Sequence, residues 1–417
     1  MDTPPAASLS DLRPIGQAQR VYFLDALRGF AILGIFIANL PFFAGAVFLE
    51  PEQLAALPTA SLDRVVNLFD HIFIEAKFYS IFSLLFGIGF GLQMQRAAAK
   101  GLSFPAFFSR RLGWLLLIGL VHLLFWIGDI LFLYALTGFV LLLFRNLPPR
   151  KLLIWAGVLL LMPVCWDAVK WATGGQASLA WLLFGAGQYV DQYLGTPDGI
   201  LDLLLLDRFP AYFKANFAGI FYRYGDLIFT GRFYKVLAMF LVGLWVVKSG
   251  LLADWENRKS LLQKVLLWGL LIGIPANVGV TWIGQSLDGY EPVGLNVLKT
   301  LLHALGVAPL SLAYVAGLAL LWSRAAHGGF LRGLAPVGRM ALSNYLLQTV
   351  IGISLFYGIG LGLAGSMGAF FLLLLALVIF AGQIVLSAWL LRRFRFGPAE
   401  WLWRSLTYGR RQPMRKA

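Results

Sequence analysis

Long apolar runs, separated by short basic stretches, dominate the pattern of residues along this chain. A helix needs about 20 apolar residues to cross the roughly 30 Å of hydrocarbon in a bilayer. Ten segments of suitable length are predicted to be transmembrane helices: 22–44, 66–95, 109–126, 129–146, 151–171, 232–250, 261–284, 296–323, 340–364 and 367–391. The pattern therefore predicts an all-α fold, a polytopic transmembrane helix bundle of about ten spans.

The positions of lysine and arginine predict how the bundle is oriented. When the N-terminus is placed inside, most of the 34 lysines and arginines fall in inner loops or in the C-terminal tail. Loops on the cytoplasmic side of a membrane carry this excess of basic residues, and a miscounted helix would break the alternation downstream. Both ends of the chain are therefore predicted to be cytoplasmic.

The predicted spans divide the chain into five parts. These are a cytoplasmic tail (1–20), helices 1–5 with the candidate site (21–171), an extracytoplasmic amphipathic segment (172–231), helices 6–10 (232–391) and a basic cytoplasmic tail (392–417). The segment 172–231 mixes leucine and phenylalanine with charged residues, which favours helices lying in the membrane interface. A re-entrant pair or two further spans would preserve the same orientation.

Composition narrows the class of protein. Charged residues make up 13% of the chain, against about 25% in soluble domains, and apolar residues make up 59%. The net charge of +14 is interpreted as the basic bias of inner loops plus attraction to anionic lipid, with no nucleic acid as a partner. Because there is one cysteine, Cys165, and only four histidines, we expect neither an internal disulfide nor a metal site.

Charged and polar side chains in the first two spans are candidate site residues, because a charge at mid-bilayer costs about 3 kcal/mol on insertion scales. Asp25 and Arg28 are three positions apart and are predicted to pair on one helix face. Asn39 follows about three turns after Arg28. Lys77 falls near the middle of the second span, too deep to reach water. A structural ion pair and interhelical hydrogen bonding are the competing interpretations.

Histidines supply the candidate general base. His122 lies near the middle of the third span, and Asp129 and Tyr134 follow across a tight hairpin. Neutral imidazole accepts protons and a carboxylate can orient it, so His122 with Asp129 is a candidate pair of base and orienting group. His71, at the start of the second span, is the second candidate base. The competing interpretation of His122 is a buried, hydrogen-bonded side chain without a catalytic role.

Two late segments carry further polar residues. Arg339 and Asn344 belong to a polar group at the start of the ninth span, which would line a cavity or serve helix packing. The tail around Trp401 and Arg404 is typical of an amphipathic helix anchored at the interface.

Four blocks of the sequence resemble the YeiB-type bacterial membrane proteins, a family named for a domain of unknown function. They are Leu24-Asp25-Ala26-Leu27-Arg28-Gly29, the stretch from Lys77-Phe78 to Phe86-Gly87, His122 with Gly128-Asp129 to Tyr134-Ala135, and Gly397-Pro398 through Glu400-Trp401 to Arg404. This resemblance implies a multi-pass protein of the bacterial cytoplasmic (inner) membrane.

The first span is also distantly similar to that of heparan-glucosaminide acetyltransferase and related membrane acyltransferases, with Asn39 placed 14 residues after Asp25. That similarity implies transfer of an acyl group from cytoplasmic acetyl-CoA or another acyl-CoA to a small-molecule or glycan acceptor. The related enzymes pair the asparagine with a histidine before the second span, whereas here the first histidine after Asn39 is His71.

The hypothesis is therefore a membrane-embedded acyltransferase. His122 or His71 would be the base, Asn39 and Lys77 would stabilise the oxyanion, and Asp25 and Arg28 would hold the CoA phosphates. The alternatives are a proton-coupled transporter or exporter of a small solute, and a scaffold protein whose polar residues are structural. Membrane lipid is an expected partner, and the sequence leaves a homodimer open.

Overall fold

Each of the ten predicted spans is largely helical in the computed structural model, which describes residues 22–197, 199–287, 293–324 and 329–416. The α-helices are α1 (Tyr22–Phe43), α2 (Pro51–Ala56), α3 (Ala60–Phe69), α4 (Lys77–Ala99), α5 (Phe104–Phe125), α6 (Leu131–Leu141), α7 (Pro149–Ala172), α8 (Ala180–Leu194), α9 (Ile200–Leu204), α10 (Phe209–Phe229), α11 (Arg232–Lys248), α12 (Lys259–Gly284), α13 (Gly294–Arg324), α14 (Gly329–Arg339), α15 (Ala341–Phe356), α16 (Ala369–Arg393) and α17 (Pro398–Tyr408). In these residues β-type pairing is limited to one isolated bridge, between Phe394 and Arg415. The predicted all-α bundle is confirmed.

Length and apolarity agree with a chain that crosses the membrane many times. Seven helical stretches pass both criteria: Tyr22–Phe43, Ala60–Ala99, Phe104–Phe125, Pro149–Ala172, Lys259–Gly284, Gly294–Ser323 and Ala369–Arg393. An eighth is α10 with α11, if this pair, bent by 63°, is one span. The shorter apolar helices Leu131–Phe144 and Ala341–Phe356 account for the remaining two predicted segments.

Glycines set the closest helix crossings at the centre of the bundle. A Cβ atom on Gly338 of α14 would lie 1.7 Å from the carbonyl oxygen of Asp25, and one on Gly29 of α1 would lie 2.2 Å from that of Leu334. Small residues let two helix backbones approach this closely in a membrane. The crossing of α1 and α14 therefore holds the Asp25–Arg28 turn beside the end of α14.

The second predicted span is broken rather than continuous. A π-helical turn, Asp70–Ile74, follows α3, and Ala76 takes a left-handed conformation (φ 67°) before α4 begins. Side chains replace the backbone N–H groups that would bond to these carbonyls in a continuous helix. The Lys77 amine donates to the His71 carbonyl at 2.7 Å, and the Tyr314 hydroxyl donates to the Phe73 carbonyl at 2.9 Å. Irregular backbone at membrane depth is tolerated where protein groups satisfy it in this way.

The segment 172–231 contains α8, α9 and α10, and α10 packs against both α8 and α5. Tyr212 and Asn216 of α10 donate hydrogen bonds to the carbonyls of Phe125 and Leu124, which end α5. These bonds satisfy carbonyls that have no partner within α5. They fix α10 beside the hairpin between α5 and α6.

Candidate functional site

His122 and Asp129 form a buried pair at the hairpin between α5 and α6. Nδ1 of His122 lies 2.7 Å from Oδ1 of Asp129, and the two residues are 6% and 1% exposed. The second carboxylate oxygen of Asp129 accepts the backbone N–H of Phe132 at 2.7 Å, in the first turn of α6. The two helices thus bring together the side chains whose pairing the sequence predicts.

The hydroxyl of Thr349, on α15, occupies the other side of the imidazole. Its Oγ1 lies 2.8 Å from Nε2 of His122. With Asp129 ionised and the imidazole neutral, Nδ1–H donates to the carboxylate and Nε2 accepts from the threonine. In this tautomer Nε2 is the basic nitrogen, and a hydroxyl already lies at hydrogen-bonding distance from it.

Aromatic rings surround the imidazole on α5. The ring of Tyr345 lies 5.1 Å from that of His122, and the Trp126 ring lies 6.1 Å away and stacks on Phe43 of α1 at 4.1 Å. The Tyr345 hydroxyl is buried beside the backbone N–H of Ile130, and its own O–H meets no acceptor in the part of the chain that is described. Tyr345 therefore presents an unused donor next to the candidate base.

A cavity of about 740 Å³ leads to this tyrosine from one end of the bundle. Along α4 it extends from Lys100, which is exposed, to Phe82, a distance of about 27 Å for 18 residues at 1.5 Å each. Its middle part is apolar and includes Leu85, Phe90 and Leu115. The deep end is formed by Ile130, Leu131, Tyr134 and Tyr345. Because Tyr345 packs on the imidazole, the cavity ends one side chain away from His122.

Basic side chains surround the outer part of this cavity, which we call the basic mouth. Its lining includes Arg28, Arg96, Lys100, Arg111, Arg339 and Arg404, against the two acids Asp25 and Glu400. Arg28 is paired with Asp25 at 2.7 Å, and Nε of Arg339 is buried with no hydrogen-bond partner among the described residues. A site with this excess of cations attracts anionic groups.

The C-terminal helix closes one side of the basic mouth. The Trp403 indole donates to the Arg111 carbonyl at 2.9 Å, and the Arg111 guanidinium lies 3.6 Å from the centre of the Trp403 ring. The Glu400 carboxylate accepts the backbone N–H groups of Leu342 and Ser343 at the start of α15. Burial raises the pKa of Glu400, while the hydrogen bonds from Ser343 and Leu342 oppose that rise.

Tyr134 joins the deep end of the cavity to α4. Its hydroxyl donates to the Tyr79 carbonyl at 2.8 Å and lies 2.7 Å from Oγ of Ser83. Its ring packs edge-on against Phe86 and Phe240. Tyr134 is thus fixed in place between the cavity and the first turn of α4.

The structure places four of the predicted site residues elsewhere. Lys77 is 1% exposed and serves the helix break, and His71 is exposed and lies 2.7 Å from Glu75. Asn39 is half-buried on α1 and its side chain makes no hydrogen bond to a described residue, and the Asn344 side chain bonds to Ser387 of α16 at 2.9 Å. None of the four is in the cavity lining. Asp25, Arg28, Tyr134 and Arg339 do line the cavity, and His122 with Asp129 lies beside its end.

Sequence reasoning gave no site role to Thr349 or Glu400, and it placed Tyr345 only in the polar group at the start of the ninth span. Thr349 and Tyr345 lie one turn apart on α15, but their distance from His122 along the chain hides the contact. Glu400 was part of a tail interpreted as an interfacial anchor. A lone acid in the first turn of that short amphipathic helix was the available signal, because an acid there is typical of a cap.

The chain resembles bacterial proteins of unknown function along nearly its whole length. A family described as "Protein of unknown function (DUF418)" matches residues 246–410, which contribute Arg339, Tyr345, Thr349 and Glu400 to the site. The uncharacterized protein YxaH of Bacillus subtilis (strain 168) is 35% identical over 98% of this chain and 99% of its own length. The uncharacterized protein YeiB of Escherichia coli (strain K12) is 30% identical over 93% and 96%. No solved structure matches the chain.

Proposed function

Because the chain belongs to the YeiB-type family of multi-pass membrane proteins, whose function is unknown, we propose an activity from the site itself. The proposal is a membrane-embedded acyltransferase that moves an acyl group from cytoplasmic acyl-CoA to an acceptor at or beyond the membrane. The observation that carries it is the cavity, which connects the basic mouth with the aromatic wall beside His122.

Acyl-CoA fits the chemistry of the cavity from one end to the other. Its phosphates suit the basic mouth, where Arg28, Arg339 and Arg404 supply cations. Its long pantetheine arm suits the apolar middle part, and the thioester would then reach Tyr345 and Tyr134. The proposed co-substrate is acetyl-CoA or another acyl-CoA, and the chemistry requires no metal.

The proposed reaction is a direct acyl transfer with His122 as the general base. Nε2 takes the proton from an acceptor hydroxyl or amine, whose oxygen or nitrogen attacks the thioester carbonyl. The carbon–sulfur bond then breaks, and the CoA thiolate recovers the proton from the imidazolium. Asp129 stabilises that imidazolium through Nδ1, as the carboxylate of a catalytic triad does.

Tyr345 replaces Asn39 and Lys77 as the proposed oxyanion donor. Tyr345 lines the cavity and its O–H meets no acceptor in the described residues, whereas Asn39 and Lys77 are outside the lining. A donor that is already positioned in a water-poor site stabilises developing negative charge most effectively.

The proposed setting is the bacterial cytoplasmic (inner) membrane, with the basic mouth inside. Membrane lipid surrounds the bundle, and a small molecule or glycan is the proposed acceptor. A second copy of the chain is a further proposed partner.

Ligand binding tests the proposal first. We expect acetyl-CoA to raise the melting temperature of the detergent-purified protein saturably, since a ligand stabilises by RT ln(1 + [L]/Kd). Arg28→Ala should weaken binding, measured by calorimetry, whereas Arg258→Ala should not, because Arg258 is exposed and pairs with Asp254. No saturable shift in the wild type up to millimolar acetyl-CoA contradicts the proposal. Transfer of radiolabel from acetyl-CoA, lost in His122→Ala, would then test catalysis.

A proton-coupled transporter or exporter of a small solute is the second candidate. The observation that favours it is the helix broken at Ala76, with the buried Lys77 beside the break. Discontinuous helices and buried charges commonly form solute and ion sites in transporters. Solute flux into liposomes that requires a proton gradient and no CoA would favour this candidate over the enzyme.

A further inference from the structure

A second polar cluster lies at the opposite end of α4 from the basic mouth. We call it the outer cluster, and its members are Arg223 of α10, Arg232 and Lys235 of α11 and His303 of α13. The Arg232 guanidinium lies 5.5 Å from the centre of the Tyr79 ring, in the first turn of α4. The bend of 63° between α10 and α11 brings Arg223 close to Arg232 and Lys235, although they lie on two successive helices.

Charge interactions show that the outer cluster is one group of side chains. Lys235 interacts electrostatically with Arg232 and with the acids Asp167, Asp226 and Glu75, and His303 interacts with both cations. Arg223 interacts with Arg232 as well. Four basic side chains from three helices thus share one region of the bundle.

Buried polar atoms without partners mark the same region. Among the described residues, Nε of Arg223, Oη of Tyr224 and Nδ1 of His303 are buried with no hydrogen-bond partner. More than nine in ten buried polar groups in proteins are hydrogen-bonded, so each exception needs an explanation, and an absent ligand or water is one. Arginine Nε–H and tyrosine O–H donate, and neutral histidine can donate through Nδ1. The missing partner is therefore an acceptor.

The balance of charge shows which kind of acceptor fits. Nearby acids are already engaged, since Asp226 lies 3.6 Å from Arg223 and Glu75 lies 2.7 Å from His71. By contrast, no described side chain gives Arg232 or Lys235 a hydrogen bond or an ion pair. Apart from the packing of Arg232 on the Tyr79 ring, these two cations thus make no ion pair of their own, and an anion beside several unused donors would supply one.

The outer cluster also lies close to the candidate base. The Tyr224 ring packs edge-on against Phe132 at 5.7 Å, and the N–H of Phe132 is held by Asp129. On the other side, Arg223 interacts electrostatically with Tyr345, which lines the end of the cavity. A group held by the outer cluster would therefore approach His122 from the side opposite to the basic mouth.

We propose that the outer cluster binds an oxyanion group, a phosphate or a carboxylate, and that this group belongs to the acceptor. The assignment of this oxyanion to the acceptor rests on the proposed acyltransferase function, whereas the anion site itself does not. The oxyanion would receive hydrogen bonds from Arg223, Tyr224 and His303 and be neutralised by Arg232 and Lys235. Its source is a free anionic solute or the headgroup of an anionic lipid.

Binding of inorganic phosphate, without CoA, tests the anion site. The melting temperature is measured in detergent as phosphate is titrated against the wild type, Arg232→Gln/Lys235→Gln and the control Arg208→Gln/Lys214→Gln. The control removes two exposed charges from the same predicted side. Arg339→Gln, titrated in parallel, reports anion binding at the basic mouth.

We expect the outer double variant to weaken phosphate binding by about tenfold or more, because each lost charged hydrogen bond costs about one order of magnitude. The control and Arg339→Gln should retain binding through the outer cluster. Binding lost in Arg339→Gln and retained in the outer variant would overturn the proposal, as would a wild type that neither phosphate nor an anionic lipid stabilises. Arg232→Lys/Lys235→Arg keeps both charges and should still bind phosphate. Binding by this variant would show that the loss in Arg232→Gln/Lys235→Gln comes from the missing charges and not from misfolding.

The source of the anion is tested in nanodiscs of phosphatidylcholine with or without phosphatidylglycerol. Stabilisation by phosphatidylglycerol that is lost in Arg232→Gln/Lys235→Gln, with no effect of free phosphate, identifies a lipid headgroup. Competition between free phosphate and phosphatidylglycerol identifies a shared site open to both. Phosphatidylglycerol that stabilises all variants equally, with no phosphate effect, overturns the proposal. Failure of acetyl-CoA to bind leaves these results unchanged, because no titration contains it.

Discussion

The carboxylate of Glu400 accepts the hydroxyl of Ser343 at 2.5 Å and joins the first turns of two helices. Oγ of Ser343 accepts the backbone N–H of Ala399 at 3.0 Å in return, and Oε1 of Glu400 accepts the N–H of Leu342 at 2.7 Å. Each helix thus satisfies N–H groups that the other cannot bond internally. Since α17 also carries Arg404 and Trp403, this contact fixes one wall of the basic mouth.

Replacing Glu400 by alanine should loosen that wall. The N–H groups of Leu342 and Ser343 would lose their acceptor, and a buried donor left without a partner costs about 1–3 kcal/mol. We expect a lower melting temperature and weaker binding of acetyl-CoA in Glu400→Ala. Glu400→Gln is the matched control, because its amide oxygen can still accept these bonds. Equal loss in both variants would contradict the capping role.

The pH dependence of stability provides a separate test of Glu400. Burial raises its pKa, so the folded state favours the protonated carboxyl relative to the unfolded chain. Its contribution to stability is therefore complete below the unfolded pKa of about 4.3 and is lost as pH rises through the folded pKa. The difference in melting temperature between wild type and Glu400→Gln should change in that direction from pH 4 upward. A stabilising contribution from Glu400 that grows with pH would show that the hydrogen bonds lower its pKa by more than burial raises it.

Asp129→Asn should greatly reduce acyl transfer if His122 is the base. An asparagine amide would donate to Nδ1, which favours the tautomer with the proton on Nε2, where it cannot accept a proton. In a catalytic triad this change lowers turnover about 10⁴-fold. Initial rates of label transfer from acetyl-CoA provide the measurement, and binding of acetyl-CoA should be unaffected. Thr349→Ser, which keeps the hydroxyl beside Nε2, is the control and should retain activity.

Local spacing accounts for the parts of the site that could be predicted from the sequence. Asp25 and Arg28 share a helix face, and a short hairpin necessarily brings residues at its two ends close, as with His122 and Asp129. Contacts between distant segments, such as Thr349 with His122, depend on how the helices pack, and no local pattern contains that information.

Lys77 shows the opposite case, in which the sequence did not indicate the contact that the side chain makes. The side chain is buried. Its amine, however, bonds to the carbonyl of His71, which exists as a free acceptor only because the helix breaks at Ala76. Alanine is the strongest helix former, so propensity argues against a break at this position. Tertiary contacts with Tyr314 and Ser311 stabilise it instead.

Gly338→Ala should disrupt the crossing of α1 and α14. The added methyl group would lie 1.7 Å from the Asp25 carbonyl, so the two helices must separate. Overpacking of this kind costs about 3 kcal/mol. Thermal unfolding in detergent should show a large drop, and the displaced Asp25–Arg28 turn should weaken acetyl-CoA binding. Gly89→Ala is the control, because a methyl there meets nothing within 4 Å, and a similar drop in that variant would contradict the crossing as the cause.

Ala76→Gly should stabilise the protein, although glycine normally destabilises helical proteins. Ala76 holds φ at 67°, where the clash of its Cβ with the backbone costs about 1 kcal/mol and glycine has no such cost. The larger conformational freedom of glycine in the unfolded chain offsets part of this gain. We therefore expect a small rise in melting temperature, whereas the same change at Ala381, inside α16, should lower it. A drop at both positions would mean that the left-handed turn at Ala76 does not persist in the membrane, and the bond from Lys77 to His71 would then lose its physical basis.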